Sequence, residues 1–514
     1  MMLLLLSLAA AQDTCPVADE YLTGSDWLRA MSLDLRGIVP TAEEYAALDG
    51  SGEIPESLIQ SWLETPEFTE QVVRHHRALL TPNVADIRLL SNRQRLIEDE
   101  TTKIWYRYLV APNYRGGPVT CGDFEATWDG DGNLMLEQDA SGYTQEGWTW
   151  VSPYWDPENP IKVCAYEAQE EKLSPWGTEC DTYDGRFDPY CGCGPNLAWC
   201  DTPWLGHNGG NPRPPVSVSI VGDIEHRIAA VIQSDSSYLD ILTGRTMYVN
   251  GPLAHFYRYQ TKVPAHVRFN EVPVDPDLLP NLPFTAEDTW LPVEVGDEHA
   301  GILTSTFYLM KFQTRRGRAN RFYNAFLCQP FQPPDGGISG LDSSATSLDL
   351  SQRDGCNYCH ALLEPAGAHW GRWSEYGAGY LDPQRFPASS AECAWCAATG
   401  ESCSEECSAY YVVDSLSSEE DPYLGWLKGY EFLEERHVPH VEEGPKLLVA
   451  NAVADGRLPL CVAEKTASWL LGRPIEAWEE PWITELSQDF IADNYSYRTL
   501  VKEIVTSDNY RSVR

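Results

Sequence analysis

The sequence is poor in basic residues. It has 37 lysines and arginines against 76 aspartates and glutamates, which gives a formal net charge of −39. A surface this acidic repels phosphate backbones, so the composition argues against nucleic-acid binding. The charge predicts a solvated exterior, and the alternative is a docking surface for a basic partner or for cations.

The sequence also lacks a long hydrophobic run. No stretch reaches the roughly 18 apolar residues of a membrane-spanning helix, so no transmembrane segment is expected. Residues 3–6 are all leucine and Ala9, Ala10 and Ala11 follow. This pattern predicts a signal peptide over residues 1–11, with cleavage before Gln12. We therefore expect an exported protein that is located in the periplasm, at the cell surface or outside the cell.

Several catalytic motifs are missing as well. The chain contains no glycine-rich phosphate loop, no G-x-S-x-G elbow and no H-E-x-x-H zinc motif. Asp129 begins a segment that resembles a calcium loop, but Leu134 stands where glycine is needed and Ala140 where glutamate is needed. A hairpin turn is the better prediction there.

Cysteine, in contrast, is plentiful, with 15 residues. In an exported chain this number indicates an oxidising compartment and disulfide bonds. Six cysteines lie between Cys121 and Cys200, and four lie between Cys393 and Cys407. The two clusters have the right numbers to close three and two disulfides internally, while the pairing within each cluster stays open.

The hydrophobic spacing predicts a mainly α protein: a multi-helix scaffold with two irregular disulfide-rich insertions. Helices are expected at residues 96–109, 224–232, 315–327, 424–433 and 462–471, among others, and Thr41 with Glu44 predicts a capping box. The expected organisation is a signal peptide (1–11), an N-terminal helical domain (12–115), a Cys/Trp-rich insertion (116–215), a central helical domain (216–340), a segment around the C-x-x-C-H pattern at Cys356 (341–386), a Cys-rich insertion (387–415) and a C-terminal helical domain (416–514).

One motif carries identifiable chemistry. Cys356-Asn357-Tyr358-Cys359-His360 has the C-x-x-C-H pattern of haem c attachment. Two thiols three residues apart on a helical turn face the same way, so each can form a thioether to one porphyrin edge. The adjacent His360 can then offer an imidazole nitrogen to the iron. The sequence predicts one covalent haem c held by Cys356, Cys359 and His360.

Two other interpretations of the motif stay open. A disulfide turn can precede a histidine by chance, and a second C-x-x-C pair at Cys393 and Cys396 is followed by Ala397. A zinc site is the other alternative.

The chain also resembles a known family. The run from Cys356 to Gly367 is similar to the haem motif of the large cytochrome-c-like secreted proteins of planctomycetes and myxobacteria. Further stretches resemble the same family, in the expected order: residues 32–41, 300–304, 316–317, 327–330, 471–473 and 504–507. The resemblance implies a c-type cytochrome-like module without naming a reaction, and it does not cover the two Cys-rich insertions.

The second axial ligand is not set by the sequence. No methionine follows Met310, so a downstream methionine is excluded. His437 and His440 lie far enough after the motif to fold over the ring, and a bis-histidine site would lower the reduction potential relative to His/Met. The competing interpretation makes both surface histidines. His369, His299, Met310 or an open iron position are the other candidates.

A basic run at Arg315, Arg316, Arg318 and Arg321 is unusual in so acidic a chain. It could hold haem propionates, and the more conservative interpretation is pairing with the excess acidic residues.

Three functions follow from these patterns. The first is an exported monohaem protein in electron transfer or redox chemistry, with a redox partner protein. The second is a haem-free, disulfide-stabilised cell-surface binding protein, which predicts a disulfide between Cys356 and Cys359. The third is a haem enzyme with an open iron position.

Overall fold

The computed structural model describes residues 20–48, 52–80, 94–107, 121–142, 144–182, 184–188, 190–201, 214–262, 272–331 and 347–513. The predicted signal peptide at residues 1–11 lies outside this part of the chain. Within it, no helix combines the length and apolar character needed to cross a membrane.

Helices dominate the described residues, which confirms the predicted mainly α class. Their bounds are α1 Gly24–Arg36, α2 Ala42–Ala46, α3 Glu56–Leu63, α4 Pro66–Leu80, α5 Pro215–Ser234, α6 Asp240–Thr243, α7 Gly251–His255, α8 Thr306–Lys311, α9 Arg315–Phe326, α10 Asn357–Gly367, α11 Ala391–Thr399, α12 Glu405–Tyr410, α13 Val438–Glu443, α14 Pro445–Ala454, α15 Arg457–Leu471, α16 Glu480–Ala492, α17 Tyr497–Thr506 and α18 Asp508–Arg511.

The strands are short. They are β1 Glu20–Tyr21, β2 Leu96–Glu98, β3 Ile104–Arg107, β4 Glu137–Gln138, β5 Thr144–Gln145, β6 Trp148–Val151, β7 Ile161–Cys164, β8 Thr246–Val249, β9 Leu291–Glu294 and β10 Ser512–Val513. The four-stranded sheet has the order β2-β3-β7-β6, and the other strands pair as β1-β10, β4-β5 and β8-β9.

The chain forms two compact units. The terminal unit contains the described parts of Met1–His75, Ile232–Ser237 and Pro459–Arg514, and the central unit contains those of His76–Val231 and Tyr238–Leu458. All residues of the C-x-x-C-H motif and all candidates for a second axial ligand belong to the central unit.

In the terminal unit, α1 buries one apolar face because its large side chains recur at helical spacing. Trp27, Leu28, Met31 and Leu35 are almost fully buried. The indole Nε1 of Trp27 donates to the carbonyl of Val505, 3.2 Å away, which ties α1 to α17. The strands at the two ends of the unit, β1 and β10, pair antiparallel.

The predicted capping box at the start of α2 is confirmed. The backbone N–H of Glu44 donates to the Thr41 hydroxyl at 3.2 Å, and the backbone N–H of Thr41 donates to the Glu44 carboxylate at 2.7 Å. Two otherwise unpaired donors of the helix start are therefore satisfied.

The central unit has an aromatic core that supports the motif helix. Phe307, Tyr308, Phe322 and Trp370 are completely buried. The Trp370 indole donates to the carbonyl of Leu303 at 2.9 Å, so its polar atom is satisfied inside the core. Helix α9, which contributes Phe322 to this core, packs directly against α10.

The Cys/Trp-rich insertion is irregular and pinned by disulfides, as the sequence predicts. Its three disulfides all close within the first cluster: Cys121–Cys164, Cys180–Cys191 and Cys193–Cys200. The second cluster closes Cys393–Cys407 and Cys396–Cys403. The expected count of three and two internal disulfides is confirmed, and the structure supplies the pairing.

The helix predicted at residues 96–109 is wrong. The described residues there form the hairpin β2-β3, because Asp99 accepts hydrogen bonds from the backbone N–H groups of Thr101 and Thr102 and closes a turn. Strand β3 then pairs in parallel with β7, far along the chain, and Ile104 faces Lys162 in that register. Long-range pairing overrides the local helical spacing.

The helix predicted at residues 424–433 is also wrong. Only 3₁₀ turns form nearby, at Asp421–Tyr423 and Lys428–Tyr430. Gly425 and Phe432 have φ values of 80° and 56°, and such left-handed positions interrupt a right-handed helix.

Candidate functional site

The C-x-x-C-H motif lies at the start of α10. Cys356 is the residue before the helix, and its carbonyl accepts the backbone N–H of His360 at 3.1 Å. The motif therefore occupies the first helical turn, where residues three and four apart share a face. Cys356 and Cys359 therefore lie three residues apart at the start of a helix, as the sequence predicts.

The two thiols of the motif are free. Cys356 and Cys359 are the free cysteines of the described chain, and each is partly exposed. All ten cysteines of the two clusters form disulfides, including Cys393 and Cys396 of the other C-x-x-C pair. The two C-x-x-C pairs therefore differ: one has free thiols, and both cysteines of the other form disulfides.

His360 is held by a carboxylate one helical turn further on. Its Nδ1 atom lies 2.5 Å from Oε1 of Glu364, and both side chains are about three-quarters buried. The same Oε1 atom accepts a hydrogen bond from Nε of Arg316, on α9, at 2.6 Å. Among the described residues, the structure pairs only Nδ1 of His360, so Nε2 can serve as the ligand atom.

Glu364 and the role of Arg316 beside it were not predicted from the sequence. The i,i+4 spacing of His360 and Glu364 was the sequence signal that could have identified Glu364 as a partner of His360. The contact with Arg316 could not be inferred, because it depends on how α9 packs on α10.

The motif helix presents apolar side chains to solvent. Tyr358 is 62% exposed and Leu362 is 57% exposed, and they lie one turn apart on α10. Because the thiols are accessible and Nε2 of His360 has no protein partner here, these residues fit a covalently attached porphyrin.

Two upstream candidates for the second axial ligand are engaged elsewhere. Nε2 of His299 donates to the carbonyl of Pro273 at 2.9 Å, and its Nδ1 lies 3.5 Å from the hydroxyl of Thr304. Burial lowers the pKa of His299 to about 4. Met310 is 3% exposed within the core. The hydrogen bonds of His299 and the core packing of Met310 thus give each residue a structural role without iron ligation.

The three downstream histidines form a cluster beside α10. The rings of His369 and His440 are stacked with centroids 4.3 Å apart, and His437 lies 5.3 Å from His440. Nδ1 of His440 donates to the carbonyl of Pro365 in α10, at 2.9 Å. Burial, with His440 acting in the same direction, lowers the pKa of His369 to about 3. His440 is therefore attached to the motif helix itself.

The basic run of α9 is used mostly within the fold. The buried guanidinium of Arg318 donates to backbone carbonyls, among them those of Leu309 and Ser374 at 3.2 Å and 2.7 Å. Arg321 donates to the carbonyl of Leu79, and Arg315 pairs with Glu375 at 3.5 Å. Intramolecular pairing is thus the main role of these arginines, with carbonyl oxygens more often than carboxylates as acceptors.

A cavity of about 320 Å³ adjoins the motif helix. Its wall includes Arg316 and Glu364, which hold His360, and Arg353, three residues before Cys356. The Nε atom of Arg353 is buried and has no hydrogen-bond partner among the described residues. Arg316 and Glu364, which support His360, therefore line a partly open cavity.

The segment from Asp129 is a turn, as predicted. Its carboxylate accepts the backbone N–H groups of Asp131 and Asn133 at 2.9 Å and 2.8 Å, and Trp128 pairs with Leu134 across the turn. In the part of the chain that the structure describes, no group of three or more His, Cys, Asp or Glu residues is placed to hold a metal ion.

Comparison with known proteins gives one family match. The model of a family described as "Protein of unknown function (DUF1585)" matches residues 453–510. No curated protein and no solved structure matches the chain.

Proposed function

We propose that the chain is an exported monohaem c-type cytochrome-like protein that acts in electron transfer or redox chemistry. The observation that carries this proposal is the contrast between Cys356 and Cys359, which keep free thiols, and the disulfide-bonded cysteines of the two clusters. In an oxidising compartment a C-x-x-C pair without another use is expected to close a disulfide. A thioether bond to haem is such a use.

Each residue of the motif has a distinct role in the proposal. The thiols of Cys356 and Cys359 add to the two vinyl groups of one haem, and His360 ligates the iron through Nε2. The porphyrin would pack on the exposed apolar side chains of Tyr358 and Leu362. When bound, the haem supplies a reversible one-electron couple, and the surrounding shell sets its potential.

The family comparison supports the proposal at the other end of the chain. The match at residues 453–510 covers both C-terminal stretches, 471–473 and 504–507, that resemble the planctomycete and myxobacterial cytochrome-c-like proteins. We infer membership in that group from the match and the haem motif together.

The haem-free alternative makes a different prediction at the same residues. It requires a disulfide between Cys356 and Cys359, and the free thiols favour the haem protein over it. The exposed aromatic side chains of the Cys/Trp-rich insertion, such as Trp150 and Trp176, remain compatible with an additional binding role.

The test is expression in a host that exports proteins and attaches haem c. We expect a Soret band and a covalent haem mass on the peptide that contains Cys356 and Cys359. A Cys356→Ala/Cys359→Ala variant should lose both signals. The peptide with Cys393 and Cys396 is the internal control, and it should carry disulfides and no haem. A Cys356–Cys359 disulfide in the wild-type protein from that host would overturn the proposal.

The acidic composition suggests the charge of the partner. With a net charge of −39, association with a basic redox protein would be steered electrostatically and would slow as salt rises. Electron transfer to a basic acceptor should therefore lose rate with ionic strength, whereas transfer to an acidic acceptor should gain.

A further inference from the structure

The contact between His360 and Glu364 determines which ring nitrogen carries the proton. A carboxylate is an acceptor, so the Nδ1 atom that lies 2.5 Å from Glu364 must be the N–H. The lone pair is then on Nε2. Histidines that ligate metals usually donate their other N–H to such an acceptor, which fixes both the tautomer and the ring orientation.

Arg316 keeps the acceptor in place. It reaches across from α9 and donates through Nε to the same Oε1 atom of Glu364, at 2.6 Å. The carboxylate is thus fixed from two helices that pack directly against each other. The three groups form a chain in the order Arg316, Glu364, His360.

We propose that Glu364 is a positioning residue for iron ligation, and that Arg316 supports it. Glu364 orients the His360 ring and makes the imidazole a stronger electron donor than a neutral acceptor would. This inference rests on the proposed haem function. A stronger donor stabilises ferric over ferrous iron and so lowers the reduction potential.

A purely structural role makes a different prediction. Arg316 is 51% exposed, and exposed ion pairs contribute little to stability. If the pair served only packing, its loss would leave the potential unchanged. The potential therefore separates the positioning role from the structural one.

The test compares Glu364→Gln with a matched control, Glu375→Gln. Glu375 pairs with Arg315, the neighbour of Arg316 on α9, and the structure gives it no contact with a motif residue. We expect Glu364→Gln to weaken the preference for ferric iron about tenfold, which raises a one-electron potential by about 59 mV. Glu364→Asp should restore part of the change, and Glu375→Gln should leave the potential at the wild-type value.

A second measurement needs no haem. In the Cys356→Ala/Cys359→Ala protein, ¹⁵N NMR of the His360 ring should report a proton on Nδ1, and Glu364→Gln should shift the population toward the other tautomer. Loss of haem attachment in Glu364→Gln alone, with wild-type circular dichroism, would also support positioning.

Two results would overturn the inference. One is an unchanged potential in Glu364→Gln with haem attached, and the other is an Nε2–H tautomer in the haem-free protein with Glu364 intact. Either leaves the proposed haem function standing. A wild-type protein that takes up no haem refutes that function instead, so the two failures are distinguishable.

Discussion

The rings of His369 and His440 stack with their centroids 4.3 Å apart and an angle of 15° between their planes. Each ring donates from Nδ1 to a carbonyl: His369 to Gly444 at 2.8 Å and His440 to Pro365 at 2.9 Å. Because Pro365 belongs to the motif helix, this stack joins the far end of α10 to the segment that follows α13. The pair is part of the packing that holds the haem motif.

This relationship distinguishes the two candidates for the second axial ligand. A distal ligand must approach the iron from the side opposite His360, and His440 is tied to the backbone of the helix that carries His360. We expect His440→Ala to cost about 1–2 kcal/mol of stability, from one hydrogen bond and the ring contacts with His369 and His437, and to leave the haem spectrum unchanged. Thermal unfolding and visible spectra check this.

His437→Ala is the variant to compare with His440→Ala, because His437 is the other candidate for the second axial ligand. No hydrogen bond of the His437 ring is found among the described residues, so we expect a stability change within about 0.5 kcal/mol. If the iron has a sixth protein ligand, this variant should gain carbon monoxide binding while His440→Ala does not. Binding gained by His440→Ala alone would contradict the assignment, and binding by the wild-type protein would indicate an open position.

Acid should destabilise the central unit through its buried histidines. Burial lowers the pKa of His255 and His369 to about 3 and that of His299 to about 4, from an ordinary value of 6.5. The unfolded chain therefore binds more protons than the folded one between these values. Stability is complete above about pH 6.5 and is lost as pH falls toward 3.

Each of these histidines should remove roughly 1 kcal/mol per pH unit below pH 6, so denaturant unfolding at pH 7.5 and pH 5.5 checks the slope. Burial raises the pKa of the Glu431 carboxyl, so protonation of that group opposes the effect of the histidines as pH falls. Equal stability at the two pH values would show that the histidines are solvated in the folded protein.

Local signals in the sequence were reliable where the chemistry itself is local. The capping box at Thr41 and the disulfides within the two cysteine clusters both depend on residues close in sequence. The strand β3 was missed because Ile104 pairs with Lys162, and only the folded chain brings them together. The role of Arg318 was missed for the same reason, since its acceptors are carbonyls from several segments.

The disulfides of the Cys/Trp-rich insertion should differ in their contribution according to loop length. Cys121–Cys164 joins residues 43 apart in sequence, and Cys193–Cys200 joins residues 7 apart. Loop-closure entropy then predicts losses of about 4 kcal/mol and about 2.5 kcal/mol for the two double alanine variants. Hydrogen exchange in β6 and β7 measures both, and a larger loss for Cys193→Ala/Cys200→Ala would contradict the entropic account.

A fully buried ion pair joins Arg107 of β3 to Glu167 of the insertion, and it should be the most sensitive polar contact of the four-stranded sheet. Glu167 accepts the backbone N–H of Arg107 at 3.0 Å and lies 3.5 Å from its guanidinium, and neither side chain is exposed. Removing the carboxylate takes an acidic partner away from the fully buried Arg107 guanidinium. We expect Glu167→Ala to cost about 3–5 kcal/mol.

The matched control is Glu70→Ala, which removes one partner of the Arg74–Glu70 pair, where both side chains are 61% exposed. Solvent screens that pair, so the loss should stay below about 1 kcal/mol. Hydrogen exchange of β3 for Glu167→Ala and of α4 for Glu70→Ala gives the two local free energies. Similar small losses at both sites would mean that water reaches Arg107 and compensates its charge. A large loss at Glu167 alone would show that the ion pair anchors β3 beside β7.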